Sequence, residues 1–152
     1  MSKRIPPLLR SSVEFLEHGL WHFFRSQTTS DMKFAILHTD QAVELILKEK
    51  VRALGGSIYK TNNRKETISV WTAYDFLNSK KCPIPEKPDL EILHEERNNI
   101  QHKFSNPSPE DAGFFIEKAV AFLKRFYKDE LGIAIENHIP QEYLDGLFPK
   151  KP

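Results

Sequence analysis

The sequence predicts an all-α protein: a helical bundle of four longer helices plus a shorter one, with a partly helical C-terminal tail. Apolar residues recur at helical intervals in five segments, no segment shows sustained apolar and polar alternation, and no internal repeat is visible. A chain of 152 residues has the size of one ordinary domain. We therefore expect one folded unit over 1–152, with its core in about 11–130 and a tail over 131–152.

The first predicted helix covers residues 12–25 and has one apolar stripe. Ser11 stands three residues before Glu14, which is the spacing of a capping box. The stripe consists of Val13, Leu16, Leu20, Phe23 and Phe24. This face is expected to pack on the core.

The second predicted helix begins near Ser30 and Asp31 and ends at Gly55 and Gly56, which suit a left-handed C-cap. Its apolar residues form two stripes on nearly opposite sides. One stripe holds Phe34, Leu37 and Leu45, and the other holds Ile36, Val43, Leu47 and Leu54. Because both sides need cover, we expect this helix at the centre of the bundle.

The middle of the chain predicts a short helix between two irregular segments. Polar and basic residues over 57–65 indicate a loop, and SVWTAYDFLN over 69–78 has the amphipathic pattern of a two- or three-turn helix. Prolines keep the stretch KKCPIPEKP irregular. A longer helix then runs from about Pro88 to Phe104.

The last long helix starts at Ser108 and Pro109, which suit the cap and the first helical position, and reaches about Glu130. Its wide apolar face predicts a core helix. Beyond Gly132 the chain is apolar enough to pack on the bundle, but prolines and a glycine keep its pieces short. We expect a docked tail with helical turns.

Composition favours a globular protein of the cytoplasm. Hydrophobic residues make up 39% and charged residues 28%, and the net charge of +1 provides no long-range attraction to nucleic acid. A single cysteine, Cys82, cannot form an intramolecular disulfide, which suits a reducing compartment. No apolar run resembles a signal peptide or a membrane span, so we expect no membrane partner.

Two histidine patterns bear on metal binding. His18 and His22 stand four residues apart, a spacing that can bind a metal, but no third ligand is evident in the sequence. In HEERN, which begins at His94, Asn98 replaces the second histidine of a zinc-protease motif. We therefore expect no metal site and no cofactor.

One arginine stands out on the fourth helix. Arg97 projects from the middle of an apolar sector formed by Leu90, Leu93, Ile100 and Phe104. An unpaired buried guanidinium costs several kcal/mol, so it must meet an acid, a partner chain, solvent in a cleft or a bound anion. Asn98 and His102 follow on one side of Arg97, and the three can border a common hollow.

A simpler interpretation of these residues stays open. Arg97 would pair with an acidic neighbour such as Glu44 or Glu96, and His102 would only stabilise the C-terminal end of its helix. The protein would then be a helical dimer with no small-molecule site.

The segment RNNIQH, late in the penultimate long helix of an all-helical domain, resembles the HEPN superfamily. The signature of that family is R-x4-6-H, often with a polar residue directly after the arginine. Arg97 matches the arginine, Asn98 the polar residue and His102 the histidine at the shortest spacing. The resemblance covers about 11–130, but only these positions are specific.

The resemblance implies a metal-independent endoribonuclease of a toxin or defence system, with the motif in a cleft between two copies. His102 would act as acid or base, since histidine exchanges protons near neutrality. Arg97 would hold phosphate oxygens, and Asn98 would orient the phosphate or the imidazole. The products would carry 2',3'-cyclic phosphate and 5'-hydroxyl ends. His94 and Gln101 are expected at the periphery of the same cleft.

One position departs from the family pattern. Some toxins of the superfamily carry a tyrosine two residues after the histidine, which a nucleotidyltransferase antitoxin modifies, whereas this chain has Phe104. Such an antitoxin is an expected partner, but it cannot modify a ring without a hydroxyl. The resemblance also includes catalytically inactive modules that bind a nucleotide or a partner protein, and this is the alternative function.

Overall fold

The computed structural model describes residues 5–25 and 27–149. Its helices are α1 (Pro7–Phe24), α2 (Thr29–Ala53), α3 (Val70–Ser79), α4 (Lys87–His102), α5 (Pro109–Leu131) and α6 (Gln141–Leu147), with a 3-10 turn at Ile135–Asn137. Within the described ranges there is no strand, only an isolated bridge between Tyr59 and Thr67. The predicted all-helical bundle with a partly helical tail is confirmed. Residues 1–4, residue 26 and the end of the predicted tail, 150–152, lie outside the described residues.

Helix α2 lies at the centre of the bundle, as its two apolar stripes predict. It packs against α1, α3, α4 and α5. Ile36, Val43 and Leu47 are buried. Phe34, from the opposite stripe, is 46% exposed, so that side of the helix is covered less completely than expected.

The start of α1 differs from the capping-box prediction. The helix begins at Pro7, after Pro6, because proline at the first helical position already has the required φ and loses no hydrogen bond. Ser12 therefore lies inside the helix and is buried. Its hydroxyl donates to the Ala42 carbonyl oxygen at 2.7 Å and lies 2.7 Å from the Tyr127 hydroxyl, so it joins α1 to α2 and α5.

The end of α4 also differs from the prediction. The helix ends at His102. Phe104 has a φ of 58°, which is a left-handed conformation that does not occur within a right-handed α-helix. The Ser105 N–H then donates to the Asn99 carbonyl oxygen at 3.2 Å. Phe104 is 89% exposed and does not belong to the apolar sector in which the sequence placed it.

The core lies mainly between α1, α2 and α5. Its largest fully buried side chains include Leu16, Leu20, Ile46, Phe122 and Tyr127. The tail docks on this core through Ile135 of the 3-10 turn, Ile139 after it, and Leu144 and Leu147 of α6, which confirms the expected docked tail. Among the helices described, none combines the length and the apolar composition needed to cross a membrane.

Candidate functional site

Helix α4 places the predicted site residues on one polar face. With 3.6 residues per turn, His94, Asn98 and Gln101 share the middle of this face, while Arg97 and His102 flank it within an arc of about 140°. Gln101 and His102 are exposed, whereas His94, Arg97 and Asn98 are half-buried. The five residues therefore border one surface, with Arg97 nearest to the core.

Arg97 is held by two neighbours. Its Nε lies 3.7 Å from Oδ2 of Asp40, a buried residue of α2, and its Nη1 donates to Oδ1 of Asn98 at 3.1 Å. The Arg97 side chain keeps 26% of its surface exposed. The expected acidic partner is thus found, but it is Asp40 rather than Glu44 or Glu96. Glu96 instead accepts a hydrogen bond from the Ser105 hydroxyl.

His94 is the most firmly held polar residue of this face. Its Nδ1 lies 3.0 Å from Asp40 Oδ2 and 3.3 Å from Glu44 Oε1, and the Trp71 ring packs edge-on against the imidazole. The hydrogen bond to Asp40 raises the pKa of His94. Asp40 and Glu44 therefore both face the same ring nitrogen of His94, and the sequence had placed this residue only at the periphery of the site.

The carboxylates that organise the face were not predicted as site residues. Burial, and then the neighbouring Asp40, raises the pKa of Glu44, and burial with the nearby carboxylates raises the pKa of Tyr74. A sequence signal for Asp40 does exist. It stands four residues after Ile36 and three before Val43, so it lies on an apolar stripe of α2, as Arg97 does on α4.

The same carboxylates have the composition of a cation site. Possible ligand atoms of Asp40, Glu44 and His94 all lie within 4.8 Å of one another. The guanidinium of Arg97 already approaches Asp40, however, and would repel a divalent ion at that oxygen. We therefore interpret these contacts as a network of ion pairs between the acids Asp40 and Glu44 and the basic residues His94 and Arg97.

His102 ends α4 without such support. In the part of the chain that the structure describes, no hydrogen bond or ion pair holds its ring. Phe104, two residues on, projects into solvent. This end of the face therefore offers an exposed imidazole and an exposed aromatic ring, whereas Arg97 and His94 are anchored from α2.

Chemically, this face can recognise an anion. The guanidinium of Arg97 has five N–H donors, only some of which meet Asp40 and Asn98.

Comparisons of the sequence with protein-family models and with curated proteins, and of the structure with solved structures, found no match.

Proposed function

We propose that this protein is a metal-independent endoribonuclease of the HEPN type, acting as a homodimer in a toxin or defence system. Its active site is formed by Arg97, Asn98 and His102. The observation that carries the proposal is the arrangement of Arg97, which projects from an apolar sector but keeps a quarter of its side chain exposed and is hydrogen-bonded to Asn98.

The reaction would proceed by transfer within the RNA. The 2'-oxygen attacks phosphorus while a base accepts the 2'-hydroxyl proton, and the bond from phosphorus to the 5'-oxygen breaks as an acid protonates that oxygen. Arg97 would stabilise the charge that develops on the phosphate oxygens. His102 exchanges the protons, and Asn98 fixes the direction of the guanidinium through their hydrogen bond.

A second copy of the chain would complete this site. The motif supplies one exposed histidine per chain, and the reaction needs both an acid and a base. Phe104 supports the pairing, because its ring is 89% exposed next to His102 and would be buried by a two-fold contact at the same end of α4. His94, paired with Asp40, would contribute positive charge beside the cleft.

The proposal is tested by incubating labelled single-stranded RNA with the purified protein in EDTA. We expect cleavage by the wild type and its loss in both Arg97→Ala and His102→Ala. His18→Ala is the matched control, since His18 is an exposed histidine on another helix. Cleavage that persists in both motif variants would refute the mechanism.

One observation favours the inactive module as a second candidate. Asp40 and Glu44 lie beside the two cations of the face and reduce the positive charge available to a phosphate. Fluorescence anisotropy with labelled RNA and with nucleotides separates the two functions. Binding that is lost in Arg97→Ala, without cleavage by any form of the protein, would support the module rather than the enzyme.

A further inference from the structure

Three histidines from α1 and α2 lie close together on the side of α2 that faces away from α4. His18 and His22 lie one turn apart on α1, and His38 lies across from them on α2. The ring centroid of His18 lies 4.7 Å from that of His22 and 4.7 Å from that of His38. The centroids of His22 and His38 are 5.8 Å apart. One nitrogen from each ring can be chosen so that all three lie within 4.8 Å of one another.

The close approach of α1 and α2 creates this cluster. Gly19 follows His18 directly and faces α2, where an added Cβ would lie 3.0 Å from the Thr39 hydroxyl oxygen, 3.2 Å from the Ala35 carbonyl oxygen and 3.3 Å from the His38 Cβ. Only a glycine leaves room for such a contact without displacement. His38, which is twenty residues from His18 in the sequence, is therefore the third member of the cluster, which the sequence did not reveal.

A carboxylate behind the cluster orients one of its rings. Nδ1 of His22 lies 3.0 Å from Oδ1 of Asp31, a buried residue in the first turn of α2. The Thr28 hydroxyl donates to the other oxygen of Asp31 at 3.0 Å. Histidines that bind metals usually donate their second ring nitrogen to a carboxylate in this way, which leaves Nε2 for the ion.

We propose that His18, His22 and His38 bind a divalent transition metal of the zinc class, with Asp31 as the residue that orients His22. Neutral imidazole is a preferred ligand of Zn²⁺, and small ring rotations would bring three nitrogens to about 2.0–2.1 Å from the ion. Three protein ligands leave a fourth position for water, as in zinc sites that are not purely structural.

The fourth position would open to solvent. His18 is exposed and also lines a groove of about 450 Å³ together with Glu14, Glu17, Trp21 and Tyr143. A water molecule could thus reach the ion from this groove. The site is distinct from the polar face of α4, because His38 and Asp40 are two residues apart and point about 160° apart around α2.

The test titrates Zn²⁺ alone into the EDTA-treated, buffer-exchanged full-length protein and follows binding by calorimetry. We expect one ion per chain, and a loss of about tenfold or more in affinity in His38→Ala, in His18→Ala and in Asp31→Asn. His102→Ala is the matched control and should bind as the wild type does. His18 is exposed, so its variant keeps the fold even where His38→Ala does not.

Substitution with Co²⁺ provides a second readout, because nitrogen ligands in tetrahedral geometry produce characteristic visible absorption bands. These bands should appear when Co²⁺ is added to the wild type and should be absent when it is added to His18→Ala. The proposal is wrong if the wild type binds no Zn²⁺, or if His94→Ala abolishes binding while His18→Ala does not. The latter result would place the ion at Asp40, Glu44 and His94.

Discussion

At the residue scale, Asp40 provides one buried carboxylate for two cations of a neighbouring helix. Its Oδ2 lies 3.0 Å from Nδ1 of His94 and 3.7 Å from Nε of Arg97. Without this carboxylate, two charges would remain half-buried beside the core. Asp40 therefore positions the residues that the proposed activity uses, although it need not contact RNA itself.

Replacing the carboxylate by an isosteric amide tests this role. We expect Asp40→Asn to lower the free energy of unfolding by about 2 kcal/mol, because it removes a charge-assisted hydrogen bond and leaves only Glu44 to offset the positive charge of Arg97 and His94. Urea denaturation measures the change. Asp75→Asn, at an exposed aspartate of α3, should change stability by less than about 0.5 kcal/mol. Equal losses in the two variants would contradict the assigned role.

The pairing of His94 also predicts a dependence of stability on pH. Since the folded protein raises the pKa of His94 above 6.5, the protonated ring stabilises the fold below that value. This contribution is lost as the pH rises through the raised pKa. The stability difference between wild type and His94→Gln should therefore be larger at about pH 6 than at about pH 9 in urea denaturation. A difference that is constant or grows with pH would refute the pairing.

Part of the site could be predicted at this scale. Arg97 was found because a charged residue on an apolar stripe needs a partner, and Asp40 satisfies the same criterion on α2. The sequence does not show how α2 and α4 are aligned against each other. This alignment places Asp40, rather than Glu44, nearest to the guanidinium of Arg97. His38 was missed for the same reason, since only the packing of α1 on α2 brings it to His18.

At the element scale, the interface of α1 and α2 depends on Gly19. We expect Gly19→Ala to destabilise the protein by about 1 kcal/mol, because the clash with the α2 backbone outweighs the gain in helix propensity. Gly113→Ala in α5 is the control. There the added Cβ meets only the end of the Phe23 ring at 3.3 Å, so stability should stay constant or increase. Thermal unfolding that ranks the two variants in the opposite order would refute this account of the interface.

Helix positions were predicted well from periodicity, while two helix ends were not. The buried stripe of α2 and the cap Ser108 lie where the sequence indicated. Ser11 was misassigned because two candidate starts compete, and the proline at the first position of α1 begins the helix earlier. The end of α4 was misassigned because periodicity counts Phe104 as a core residue, whereas its backbone is left-handed.

At the scale of the whole molecule, the proposed homodimer predicts that the exposed ring of Phe104 lies in the contact between two copies. The wild type should sediment as a dimer in analytical ultracentrifugation, and Phe104→Ser should sediment as a monomer with an unchanged fold, since the ring makes little contact with its own chain. Phe114→Ser, at a ring that is 54% exposed on α5, should remain dimeric. A dimer that survives Phe104→Ser would place the interface elsewhere.

The central claim is that the polar face of α4 cleaves RNA without a metal ion. The most direct measurement is the product chemistry in EDTA, on an RNA and on the same strand with a single 2'-deoxy substitution at the cleaved position. We expect 2',3'-cyclic phosphate and 5'-hydroxyl ends, no cleavage at the deoxy position, and a rate reduced about 100-fold or more in His102→Ala. Cleavage at the deoxy position, or an unchanged rate in His102→Ala, would contradict it.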